Sequence, residues 1–178
     1  MPGGRNSALL RGKVKKTFSM EPRTHTDKIL LAAQGYFELG MMDDALAELD
    51  TLPRAAQERL DVLQMRLFIQ MRARRWRESL KISRAMCRVS PEEIVGFIHA
   101  AFCLHEMGRT AEAKTVLLDG PAALLNEATY HYNLGCYDAV LGNIEEAQAH
   151  LRLSFKLDKK FRDFARTDPD LRPVWDSL

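Results

Sequence analysis

Residues 131–151 read HYNLGCYDAVLGNIEEAQAHL, and the fold follows from them. Two stretches with helix-spaced apolar residues meet at Leu141–Gly142, and Ala147 stands five residues beyond the glycine. The same arrangement recurs upstream as FELGMMDDAL (37–46), RARRWRESL (72–80) and EMGRTAEA (106–113). The turn positions are Gly40, Arg74, Gly108 and Gly142, in steps of 34 residues. Two further columns keep that step: Ala45, Ser79, Ala113 and Ala147 after the turn, and Ala33, Leu67, Ala101 and Gly135 before it. A fixed period of this length marks a stack of two-helix units. Small residues sit where paired helices cross closely. Glycine reaches the left-handed backbone of the turn without steric cost. Arg74 departs from the glycine column, so its turn either takes another geometry or carries strain of about 1 kcal/mol.

Period and columns together resemble the tetratricopeptide repeat, whose pattern runs W-x-x-L-G-x-x-Y, then A, an aromatic, A and P. The fourth copy carries the likeness through Asn133, Leu134, Gly135, Leu141, Gly142 and Ala147; copy two adds Trp76 and Pro91, and copy one Tyr36. Asp138 stands where that pattern has a tyrosine. The resemblance implies an all-α, right-handed superhelical solenoid of four helical hairpins (26–59, 60–93, 94–127 and 128–161, within a repeat region 24–158) and a C-terminal capping helix in 159–178. The string A-x-x-D-P-D-L-x-P-V-W (165–175) also resembles the tails of uncharacterised bacterial proteins with such repeats. In the tail, Phe161, Phe164, Leu171, Val174 and Trp175 supply the apolar side that a solenoid end needs, with Trp175 expected to tuck inward. Residues 1–23 read as an unpacked basic extension.

Local signals set the expected helix ends. Thr24 to Asp27 caps the first helix, Ser90-Pro91-Glu92-Glu93 reads as a capping box opening copy three, and Asn126 as the cap of copy four. Pro53 and Gly120-Pro121 end the helices before them.

In this family the first helix of each hairpin lines the concave face. The resemblance therefore places Leu30, Gln34, Phe37 and Glu38 there from copy one, and Gln64, Phe68, Met71 and Arg72 from copy two. Copy three contributes Ile98, Phe102, His105 and Glu106, and copy four Tyr132, Cys136, Ala139 and Val140. Phe37, Phe68, Phe102 and Tyr132 would form an aromatic strip that holds an apolar or amphipathic peptide. Two other occupations compete with that one: the same aromatics as core, or the tail folded back into the groove. Repeats that clamp acidic chaperone C-termini use Lys, Asn and Arg on these helices. Here Leu30, Gln34, Phe68, Ile98 and Phe102 stand in those places, which disfavours that partner class.

Composition excludes other classes. The chain has 178 residues, 46% hydrophobic and 28% charged, with a formal net charge of +2. Cys87, Cys103 and Cys136 are too few and too scattered for a disulfide framework, which points to a reducing, cytoplasmic setting. No apolar run approaches the roughly 20 residues that a membrane span requires, and the basic N-terminus lacks the apolar stretch of a secretory signal. Copy two is basic and its neighbours acidic, an arrangement that reads first as a solvated face paired with its neighbours. Nucleic acid is disfavoured, because the band belongs to no known binding module. The leading function is a protein-interaction scaffold. The alternative is a dedicated chaperone: HAAFCLHEMGRTAEAKTVL (99–117) resembles repeats of the chaperones that shield secreted translocator proteins. A third reading, an enzyme or metal protein built on His99 and Cys103, meets two objections. His99 and His105 project to different faces of one helix, and a structural zinc site needs four ligands. Cys136 is a weak candidate for a reactive thiol. No cofactor is expected.

Overall fold

The structure is a computed structural model that describes residues 24–177. The extension expected over 1–23 lies outside them. Among the described residues there is no strand, and four antiparallel helix pairs follow one another. The first pair is α1 (His25–Glu38) with α2 (Met42–Asp50), followed by a short connecting helix α3 (Arg54–Gln57). Next come α4 (Leu60–Arg72) with α5 (Trp76–Val89), and α6 (Ile94–Glu106) with α7 (Thr110–Leu118). The last pair is α8 (Ala128–Leu141) with α9 (Ile144–Leu157), and α10 (Lys160–Ala165) and a 3₁₀ turn (Pro169–Ser177) close the stack. Helices α4, α6 and α8 begin at residues 60, 94 and 128, in register with the sequence period.

The four turns adopt the left-handed backbone that the glycine column demands. Gly40, Gly108 and Gly142 have φ of 79°, 78° and 85°, and Arg74 has φ of 56°. Copy two therefore keeps the turn geometry and bears the Cβ strain. Ala33, Leu67 and Ala101 before the turns, and Ala45, Ser79, Ala113 and Ala147 after them, are all completely buried. Close approach is the reason. A Cβ on Gly135 would lie 2.7 Å from Leu151 Cγ, and one on Gly96 would lie 2.8 Å from Cys87 Sγ and 3.0 Å from the Ser83 carbonyl oxygen. Gly96 thus seats α6 on α5 in the way that Gly135 seats α8 on α9.

Asp138 explains itself once the pairs are assembled. Its buried carboxylate accepts from Lys114 Nζ of α7 at 2.6 Å and from Asn143 Nδ2 of the turn at 2.9 Å. Where the repeat pattern has an aromatic ring, this chain has an ion pair tying copy three to copy four. His131 and His150 lie beside it, with their Nδ1 atoms 3.5 Å apart. His131 Nε2 donates to the Leu125 carbonyl at 2.9 Å.

Helix boundaries follow some local signals and correct others. Thr24 forms the expected capping box with Asp27, its hydroxyl accepting from Asp27 N at 3.1 Å while Asp27 Oδ2 accepts from Thr24 N. Helix α2 ends at Asp50, ahead of Pro53, and α7 ends at Leu118, ahead of Gly120-Pro121. Ser90 does not cap α6: residues 90–93 form a turn, and Glu93 stands at the N-cap without a side-chain bond. Asn126 does not cap α8 either. It ends a 3₁₀ turn over Ala122–Asn126, and Glu127 takes the cap position. In both cases the short connection folds into its own turn and moves the helix start past the polar residue.

The tail packs on copy four through Leu171 and Val174, both buried. Trp175 is corrected from inward to marginal. It stays 39% exposed and is anchored at its rim by an Nε1 hydrogen bond to the Ala165 carbonyl at 3.0 Å. The tail sequence Asp168-Pro169-Asp170 also reaches the first helices: Asp168 Oδ2 accepts from Tyr132 at 2.8 Å, and Asp170 Oδ2 accepts from His105 Nε2 at 3.0 Å.

Candidate protein-binding groove

The first helices α1, α4, α6 and α8 carry every residue expected on the inner face, and burial divides those residues into three groups. Leu30 and Met71 belong to the core at 1% exposure each, and Phe102 at 7% packs edge-on against Trp76 at 5.8 Å. His105, Tyr132 and Cys136 lie beneath the tail. What remains accessible is Gln34, Phe37, Gln64, Phe68, Ile98 and Glu106, all half-buried, together with exposed Glu38, Arg72 and Val140. Phe37 packs against the cluster of the first hairpin. Gln34 Nε2 donates to Glu38 Oε1 at 2.8 Å, forming a polar edge at that end. The expected aromatic strip is thus interrupted: Phe102 serves the core, Tyr132 holds the tail, and Phe68 stays at the surface.

A cavity of about 170 Å³ opens among these helices, lined by Met71 of α4, by Ile94, Val95, Ile98, His99 and Phe102 of α6, and by Thr129 and Asn133 of α8. Met71, Ile98 and Phe102 are among the residues expected on the inner face, whereas His99 and Asn133 were not named there. The signal was present. His99 and Asn133 are one repeat step apart, as are Val95 and Thr129, so two columns of neighbouring copies face one space. The His99 ring meets Phe68 edge-on at 5.9 Å. Burial in these apolar surroundings lowers its pKa to about 4, so the imidazole is neutral near pH 7. Asn133 is 1% exposed, and its Nδ2 has no hydrogen-bond partner.

The thiols are placed for packing. Cys103 is completely buried, and desolvation pushes its pKa up to about 12. Its thiol therefore stays protonated near neutral pH, unlike the thiolate that nucleophilic chemistry requires. Cys136, weighed above as a reactive thiol, is corrected. It is buried, its Sγ lies 3.8 Å from Asp168 Oδ2, and burial with that nearby carboxylate drives its pKa well up. Among the described residues no three His, Cys, Asp or Glu side chains converge to hold a metal ion. No described helix is long and apolar enough to cross a membrane.

Copy two is as basic in space as in sequence, and several of its cations are paired. Arg66 meets Asp50 at 2.7 Å and Arg75 meets Asp43 at 2.6 Å, both partners belonging to the acidic first hairpin. These are the neighbour pairs expected of a solvated face.

No family model matches the chain, and no curated protein matches it in sequence. Solved structures do match in shape. The structure described as MamA MSR-1 C2 superposes with a TM-score of 0.65 at 17% identity, covering 78% of this chain and 79% of that one. The structure described as MamA AMB-1 C2221 gives 0.63 at 18%, over 75% and 78%. The double mutant MamA RS-1 ArsTM gives 0.65 at 12%, over 77% of each. Likeness at such low identity is likeness of fold, and the chain shares the all-helical architecture of these structures.

Proposed function

We propose that this protein is an interaction scaffold that holds an apolar or amphipathic segment of another protein along the inner face of its first helices. The observation that carries the reading is the mostly apolar cavity lined by Met71, Ile98 and Phe102, with Phe68 half-buried beside its His99 and with Val140 and Arg72 exposed on the same set of first helices. Partly exposed apolar side chains lining a cavity are the usual substance of a recognition surface. Binding is preferred over catalysis because the candidate thiols are buried and protonated, and His99 has an aromatic ring for a neighbour in place of a general acid or base.

The test uses Phe68→Ser combined with Val140→Asp, two positions outside the hydrophobic core. Proteins captured from a native lysate by the full chain should bind the double variant at least tenfold more weakly, since interface energy concentrates in a few apolar anchors. Helicity by circular dichroism should be unchanged. Retained helicity with unchanged affinity defeats the groove reading.

A further inference from the structure

We propose that the cavity between α6 and α8 is the anchor site of that groove, and that it takes an uncharged leucine- or methionine-like side chain whose neighbouring main-chain carbonyl accepts from Asn133 Nδ2. The inference rests on the groove reading and adds to it the chemistry of the residue bound.

Three observations converge. The first is volume: about 170 Å³ framed by Met71, Ile98 and Phe102 suits one large aliphatic side chain and is too small for a folded element. The second is the Asn133 amide, almost completely buried, lining the cavity, and without a partner for its N–H₂ group. Buried donors are nearly always satisfied, so an orphan amide on a cavity-lining residue marks an acceptor that a bound molecule would supply. The third is charge. No lining residue carries a formal charge near neutral pH, because His99 is held neutral by its apolar surroundings. A carboxylate or an ammonium entering here would lose its hydration for contacts with the neutral groups of His99, Thr129 and Asn133 and with apolar carbon, and would meet no opposite charge. Complementarity therefore selects an apolar side chain next to a neutral acceptor, and a peptide main chain supplies that acceptor at every residue.

The Val95–Thr129 and His99–Asn133 columns give the site its position. They face one another only because copies three and four stack in register. Copy two offers Asp61 and the buried Met65 at the corresponding places, and copy one Asp27 and Leu31. One anchor site at the third-to-fourth junction is thus expected, and not a ladder along the whole face.

The experiment is an NMR titration of the full chain with N-acetyl-leucine-N-methylamide, in parallel with the aspartate analogue. The leucine probe should give saturable shifts of the Asn133 side-chain amide and of Thr129 and Phe102, while the aspartate probe gives none. Ile98→Trp fills the cavity from a half-buried position and should weaken the leucine response at least fivefold with helicity intact. The proposal is overturned if both probes act alike, if the shifts lie elsewhere, if Ile98→Trp leaves the response unchanged, or if no saturable shift appears. The groove reading stands or falls separately, on the Phe68→Ser and Val140→Asp variant and its captured partner.

Discussion

Arg74 is the residue at which local cost and repeat geometry meet. Its φ of 56° matches the turn that Gly40, Gly108 and Gly142 make, and an L-residue with a Cβ pays about 1–2 kcal/mol for that conformation. Arg74→Gly should stabilise the protein. The gain is smaller than the strain removed, because glycine also gives the unfolded chain more freedom. A net gain of about 0.5–1 kcal/mol is expected, read as a rise of about 1–4 °C in melting temperature for a chain of this size. A melting temperature that falls would mean that the Arg74 side chain contributes more than its backbone costs. Arg74 lines a shallow recess with Arg75, Trp76, Arg77, Glu78 and Met107.

Within an element, the small-residue columns fix how close two helices come. Ala113 and Ala147 are completely buried, each within the second helix of its hairpin, whereas Ala111 is exposed two residues upstream on α7. Ala113→Leu and Ala147→Leu should each destabilise by about 1–3 kcal/mol, because added methylenes in a packed crossing force the helices apart. Ala111→Leu should stay within about 0.5 kcal/mol of the parent. Chemical denaturation of the three variants makes the comparison, and equal losses at all three would place the helix crossings elsewhere.

For the molecule as a whole, the tail does what a further first helix would do. It buries Leu171 and Val174 against the last hairpin and fastens Asp168 and Asp170 to Tyr132 and His105. One consequence concerns Cys136, which is 5% exposed beneath it. Leu171→Asp should loosen the cap, since a carboxylate at a completely buried position is strongly disfavoured. Site-resolved alkylation should then label Cys136 much faster than in the parent protein, with Cys87 on α5, half-buried and away from the tail, as the internal reference. Unchanged Cys136 labelling with a folded variant would show that something other than the tail shields it.

The sequence by itself determined the hairpins, their register and their turns. Those depend on short-range facts: which residues tolerate a left-handed backbone, and which are small enough for a helix crossing repeated every 34 positions. It also marked the helix ends before Pro53 and Gly120, because proline and glycine act locally. It misplaced the starts of α6 and α8, where Ser90 and Asn126 have capping chemistry but their connections fold into separate turns. Among the residues it expected on the inner face, it could not sort core from surface. Leu30, Phe102 and Tyr132 have the same apolar character as Phe68, and only packing shows that the first two enter the core while the third holds the tail. Asp138 read as a lapse in the pattern until Lys114 and Asn143 were brought to it from another helix and a turn. The cavity, too, was decided by tertiary structure alone: His99 and Asn133 are unremarkable one at a time, and they define a site because stacking two repeats sets their columns face to face.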